Sequence, residues 1–313
     1  MLLLALLLTW AARCYALRRN LFDHPGERRS HTIATPRGGG IAIVVSQLLA
    51  YLAIGFVHGE IRMALAVFST GVLLVAGIGW WDDHRPLPAT ARLCVHMLAG
   101  GLLGMLVWHA SGDPFKAVFS ALLATGLVNV WNFMDGINGL ATTQAIIAAI
   151  AFALVLPVPH GGIALLLAAG CLGFLPFNFP KARIFMGDVG SGALGYLLAG
   201  LVAAGLTFTD IAWPMWLVPL AAFLIDAGFT LLVRMLSGER WMQAHTQHLY
   251  QRYVKRGCSH ARVTLAYGLF SALSLALFVV MAKMYPARGS MWAVSWALLG
   301  SGIWYVLRNR IVR

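Results

Sequence analysis

Eleven apolar runs organise this chain, near residues 2–17, 39–57, 63–81, 93–110, 117–133, 139–157, 161–177, 191–208, 212–233, 263–282 and 290–307, and they occupy about two thirds of it. A bilayer crossing takes roughly 20 apolar residues. Each run is therefore a candidate membrane helix, and the connections are too short to hold a separate soluble domain. Composition agrees: 60% of residues are hydrophobic and 11% charged, against about 25% charge in a soluble domain. A water-soluble monomer is excluded. The fold class is all-α, a polytopic membrane protein of about 10–11 transmembrane helices, with residues 1–313 forming a single integral-membrane domain. The first run is interrupted by Arg13 and lacks both a charged n-region and a small-residue cleavage site. It is read as a shortened or mis-started span and not as a cleaved signal peptide.

The formal net charge of +12 raises nucleic acid as a partner, but the cations lie in loops between spans, which is the positive-inside pattern. With the segment after the first run placed in the cytoplasm, 18 of the 23 Lys and Arg fall inside, while Arg62, Lys116, Lys283 and Arg288 fall outside. The expected topology is N-terminus out and C-terminus in, with no nucleic-acid partner. Cys14, Cys94, Cys171 and Cys258 form no CxxC pair, so neither a disulfide framework nor a cysteine zinc site is expected.

On that map Asp82, Asp83, Asp135 and Asp188 sit at cytoplasmic span ends beside glycine- or asparagine-rich turns. Asp82 and Asp83 are adjacent carboxylates that repel unless a cation or shared proton compensates. A divalent ion such as Mg2+ suits them, and interfacial solvation under the Trp80-Trp81 belt is the plainer alternative. Asn129, Asn132 and Asp135 recur every third residue and stack on one helical face; hydrogen bonding between helices is the alternative. Gly187-Asp188-Val189-Gly190-Ser191 opens a helix and puts a carboxylate next to free amides, suited to a metal held against phosphate. An ordinary helix cap explains the same residues singly. His245 and His248, three apart on one side of a helical turn, stand among Arg240, Arg252, Lys255 and Arg256. This loop suits a nucleoside diphosphate, with anionic lipid headgroups or a zinc site as alternatives.

In order along the chain, HTIATPRGGG (31–40), DDHRPLPATAR (82–92), NVWNFMDGINGLA (129–141), FMGDVGSGALG (185–195) and RWMQAHTQHLYQR (240–252) resemble the polyprenyl-phosphate N-acetylhexosamine-1-phosphate transferases. The resemblance implies transfer of a sugar 1-phosphate from a UDP-sugar to undecaprenyl phosphate at the cytoplasmic face of a bacterial inner membrane. UMP would be released, with Mg2+ as cofactor and Mn2+ as the alternative ion. It implies catalytic roles for Asp82 and Asp83, metal binding by Asn132 and Asp188, and substrate binding by Asn129, Asp135, His245, His248 and Arg252. Asp82 is expected to orient or deprotonate the acceptor phosphate. The second acid of the family's DGxDG pattern is Asn138 here, so a role for that acid does not carry over. The sparse His-Thr-Gln-His spacing matches O-antigen-initiating members better than the phospho-MurNAc-pentapeptide transferases that make the peptidoglycan lipid. Implied partners are the UDP-sugar, undecaprenyl phosphate and the bilayer, with a homodimer left open. A secondary transporter is the rival from another class, supported by Asp226 inside the ninth span.

Overall fold

Every apolar run carries helix in the computed structural model, which describes residues 1–26, 30, 33–239 and 245–312. The α-helices are α1 Leu2–Arg18, α2 Ile41–Val57, α3 Arg62–His84, α4 Ala89–Ser111, α5 Pro114–Met134, α6 Leu140–Ala153, α7 His160–Asn178, α8 Asp188–Phe208, α9 Ala221–Leu236, α10 Leu249–Lys255, α11 His260–Met284 and α12 Gly289–Val312. His31 and Thr32 of the first motif, and residues 240–244 of the histidine loop with Arg240 among them, lie outside the described residues.

Among the described residues, eight helical stretches are long and apolar enough to cross a bilayer. They are Gly59–His84, Ala89–Ser111, Pro114–Met134, His160–Asn178, Asp188–Phe208, Trp213–Leu236, His260–Met284 and Gly289–Arg310. The remaining three runs give shorter helices: α1 and α2 of 17 residues and α6 of 14. The 139–157 run is shortened because Pro157 and Pro159 close it, neither offering an N–H to continue a helix. The 212–233 run is divided. Residues Trp213–Leu220 form a tight 3-10 turn bounded by Pro214 and Pro219 before α9 begins. Other boundaries follow ordinary chemistry: Asp113 caps α5 by accepting from Phe115 N–H at 2.9 Å, with Pro114 at the first helical position.

The centre of the bundle is α8, with 89% of its apolar window buried. It packs on α3 and α5 and also touches α2, α4 and α6. Close approach depends on small residues: a side chain at Gly79 would strike the Asp188 carbonyl, and one at Gly195 the Leu127 carbonyl. At the periphery, Leu265, Leu269 and Leu273 of α11 and Val294 and Leu298 of α12 are exposed, a surface suited to lipid and unsuited to water. The segment before α2 pairs its Phe22–Asp23 strand antiparallel with Thr35–Pro36. It is then stitched to the α7–α8 connection by Phe185 N–H to Pro36 O at 2.8 Å and Gly40 N–H to Met186 O at 2.8 Å. That stitching sets Arg37 beside the start of α8.

The charge asymmetry yields a topological test. Glu60 and Lys255 are both exposed. In a chain with the native cysteines replaced, a cysteine at 60 should label with membrane-impermeant thiol reagents in intact cells, and one at 255 only with permeant ones. The reverse pattern would invert the orientation.

Candidate functional site

The first turn of a helix carries N–H groups with no partner inside the helix. At α8 the capping position is Gly187, which has no side chain to offer. The cap comes from another helix: Asp83, at the end of α3, accepts from Asp188 N–H through Oδ1 and from Val189 N–H through Oδ2, both at 3.1 Å. Gly187 has φ of +76°, and a Cβ there would lie 2.5 Å from Asp83 Oδ2, so the position requires glycine. The cap reading of the motif's own aspartate is therefore corrected: Asp83 is the capping group, and Asp188 is left free of that duty.

Asp82 turns elsewhere, because successive residues on a helix do not face one direction. Its Oδ1 accepts from Leu87 N–H at 2.6 Å and its Oδ2 from Arg92 at 2.8 Å. The same Arg92 Nη1 reaches Asp188 Oδ2 at 2.9 Å. The expected mutual repulsion of a side-by-side pair is therefore relieved by divergence and by one guanidinium. Pro86 and Pro88 in the short α3–α4 turn bring Arg92 back onto these acids. Sequence reasoning quoted Arg92 within a motif and assigned it no role; its signal was a lone cation in the first turn of a helix following two aspartates.

A cavity of about 280 Å³ opens at this end of the bundle, lined by Arg37, Asp83, Asn132, Asp135, Asp188 and Ser191, with His245 and Tyr250 at its side. Asn132 projects from the last turn of α5 and donates to Ser191 Oγ at 3.2 Å. Asp135 follows the helix end and is half-buried. Burial pushes its carboxyl well above the usual carboxylate range, and the Asp188 and Asp83 charges push it further. Arg37 donates to the Asp83 carbonyl.

Of the other predicted residues, Asp82, Asn129, His248 and Arg252 sit off the cavity lining, and His245 is on it. Asn129, a turn earlier on α5, donates to Thr125 O at 2.7 Å, so the expected three-residue stripe is interrupted by a local bond. Asn138 donates to Pro180 O at 3.0 Å and takes its place in the α5–α6 turn, a bond that an aspartate could not donate. The histidine pair is not on one helical turn: His245 lies outside any helix and His248 precedes α10. Their rings still approach, 4.8 Å apart. His245 faces the cavity, while His248 is buried against Phe133 and Tyr250. Burial, with His248 and Arg234 nearby, lowers the His245 imidazole to about 4, so at neutral pH it is an uncharged hydrogen-bonding group. Arg252 donates to Gln247 O at 3.0 Å and Lys255 to Thr246 Oγ1 at 2.5 Å; these cations brace the loop. Tyr250, which sequence reasoning passed over, donates from its hydroxyl to Phe133 O at 2.9 Å, and its ring fills the space that a side chain at Gly136 would take. Asp226 is buried in α9, away from the cavity.

Among the described residues no three His, Cys, Asp or Glu side chains form a metal cluster, unlike a closed zinc site. Mg2+ is usually held by one or two carboxylates with waters and substrate phosphates. Asp188, Asp135 and the Asn132 amide oxygen are a donor set of that kind, and the gathered like charges around Asp135 are what a divalent ion relieves.

The cavity thus gathers carboxylates and amides at the ends of membrane-spanning helices. Residues 65–206 match glycosyl transferase family 4. The decaprenyl-phosphate N-acetylglucosaminephosphotransferase of Mycobacterium tuberculosis (strain ATCC 25618 / H37Rv) is 31% identical over 305 residues, covering 82% of this chain and 74% of the relative. The probable undecaprenyl-phosphate N-acetylglucosaminyl 1-phosphate transferase of Bacillus subtilis (strain 168) is 29% identical over 283 residues, covering 83% and 76%. The phospho-N-acetylmuramoyl-pentapeptide-transferase of Thermosynechococcus vestitus is 34% identical over 215 residues, covering 56% of each chain. This chain belongs to the polyprenyl-phosphate N-acetylhexosamine-1-phosphate transferase family.

Two measurements probe the site's electrostatics. Asp83→Ala leaves two amides of a buried helix end unsatisfied, each costing about 1–3 kcal/mol, so thermal unfolding in detergent should occur at lower temperature, with Asp83→Asn intermediate. Asp135 has a raised carboxyl, so its protonated form stabilises the fold and that contribution is lost as pH rises above the ordinary carboxylate value. In metal-free buffer, Asp135→Asn should therefore melt above the wild type at pH 8, and the gap should close toward pH 4.

Proposed function

We propose that this chain transfers an N-acetylhexosamine 1-phosphate from a UDP-sugar to undecaprenyl phosphate, releasing UMP, as the initiating step of O-antigen or a related surface polysaccharide. The observation that carries this reading is the convergence of Asp83, Asn132, Asp135 and Asp188, from three separate turns, on one cavity. The relatives' names, for transferases acting on decaprenyl and undecaprenyl phosphate, support the acceptor class, and the charge asymmetry supports a cytoplasmic-facing site in a bacterial inner membrane.

In this reaction an oxygen of the lipid phosphate attacks the sugar-bearing phosphorus of the UDP-sugar. A new P–O–P bond forms, the bond to the bridging oxygen breaks, and that oxygen leaves with UMP. Two anionic reactants must meet, so the work of the protein is positioning and charge compensation. Arg37 lies in the cavity and Arg92 at its edge, where each supplies positive charge to the phosphates. Asp82, held by Arg92, is the residue to which the resemblance assigns the acceptor phosphate, as its orienting group or its proton acceptor. Neutral His245 offers a hydrogen bond to the sugar nucleotide without adding charge. Asp188 and Asn132, with Asp135 close by, would hold Mg2+, which would supply charge neutralisation to the phosphates.

Purified protein given undecaprenyl phosphate, Mg2+ and a panel of UDP-N-acetylhexosamines, with UDP-MurNAc-pentapeptide included, should release UMP and form a lipid-linked sugar with one of the hexosamines. Release only with the pentapeptide substrate moves the chain to the peptidoglycan type. Asp188→Asn should lose activity by orders of magnitude and regain part of it at raised Mg2+. Asp82→Asn should lose about 10²-fold or more without such recovery. Equal rescue of both by Mg2+ assigns Asp82 to the metal and phosphate site.

A further inference from the structure

Asp226 lies within the apolar span of α9, and it is 1% exposed. A cargo-binding or proton-carrying aspartate in a membrane needs a path to water. This carboxylate is instead fully engaged by donors from four helices. Its Oδ1 accepts from the Thr230 hydroxyl of α9 at 3.2 Å, from Leu249 N–H at the start of α10 at 2.9 Å and from Trp304 Nε1 of α12 at 3.0 Å. Its Oδ2 accepts from the Tyr267 hydroxyl of α11 at 2.7 Å. The bond to Leu249 fixes where α10 begins. The next residue, Tyr250, clasps Phe133 O at 2.9 Å and packs over Gly136, so it touches the turn that carries Asn132 and Asp135. His245, on the approach to α10, is held in the same register. A continuous set of contacts joins a buried acid in the membrane to both walls of the cavity.

We propose that Asp226 is a positioning residue: it anchors α10 so that Tyr250 and His245 stand correctly against the Asn132–Asp135 turn, and through them it sets the affinity for the sugar nucleotide. The inference rests on the transferase reading for its substrate and on hydrogen bonds alone for its geometry. What Asp226 contributes is acceptor oxygens in a fixed place. Asparagine retains the oxygen that serves three of the four donors, and its amide can donate to the Tyr267 hydroxyl.

The test compares Asp226→Asn, Asp226→Ala and Tyr250→Phe with wild type in detergent, using the UDP-N-acetylhexosamine that the wild type turns over. Asp226→Asn should keep KM for that nucleotide within about twofold of wild type, whereas Asp226→Ala should raise it roughly 10–100-fold, the usual range for loss of a supporting partner, with KM for undecaprenyl phosphate unchanged. A fall in kcat with both KM values constant signifies only less folded enzyme and overturns the proposal. Asp226→Asn as impaired as Asp226→Ala also overturns it, since charge would then be required. If Asp226→Ala does not fold, Tyr250→Phe decides: a raised nucleotide KM supports the linkage and an unchanged one overturns it. Hydrogen exchange reads the positioning independently of turnover. Faster exchange at 249–255 and 133–137 in Asp226→Ala, or in Tyr250→Phe at 133–137, is expected, and unchanged exchange overturns the proposal even if the transferase assay succeeds. A wild type that exchanges as expected but releases no UMP counts against the transferase reading and leaves the anchoring intact.

Discussion

The contact between Asp83 and the first amides of α8 is the constraint on which the rest of the site depends. A helix buried on nearly all sides still begins with unpaired N–H groups, and the partial positive charge at that end attracts an anion. Supplying the anion from α3 locks two membrane helices together at the ends that border the cavity. Once they are locked, Asp188 is committed to the cavity, Gly187 is committed to its left-handed turn, and Arg92 has two acids within reach of one nitrogen. Removing the carboxylate would do more than delete a charge: the end of the central helix would have to find water or another acceptor.

The site carries more acid than its immediate surroundings neutralise, and the distribution of cations explains how it persists. Arg92 answers Asp82 and Asp188 together, the α8 amides answer Asp83, and Asp135 is left in company with like charges. A protein built only to be stable would not retain that last arrangement. The cations of the histidine loop take no part in it; Lys255 and Arg252 bond to their own loop. Electrostatics here is local, decided by which groups touch and not by the net charge of the chain.

Much of this was legible in the sequence because hydropathy is additive along a chain. Eleven apolar runs became helices, and the acids at their inner ends came from turns that glycine and asparagine announce. What composition and spacing could not supply was direction. Adjacent Asp82 and Asp83 look equivalent in a string of letters, yet the helix sends one to α4 and the other to α8. Asn129 repeats the spacing of Asn132 and still folds back on Thr125. The sequence pattern puts His245 and His248 together on a helical turn that does not exist there; their rings meet in the non-helical chain that leads into α10. Pro157 and Pro159 stood in plain view, but the apolar run around them concealed an early end to α6. Asp226 was visible as an anomaly, an acid in a span, while the four donors that explain it come from residues between 4 and 78 positions away.

The clasp between Tyr250 and the Phe133–Gly136 turn also bears on how such a protein can change over generations. Any side chain introduced at 136 would claim the volume of the Tyr250 ring, and any smaller residue at 250 would release the Phe133 carbonyl and leave a void over the glycine. Neither position can drift alone without loosening the turn, so the two are bound to be inherited as a unit. Divergence of the cavity is thereby channelled away from this turn and the tyrosine that holds it.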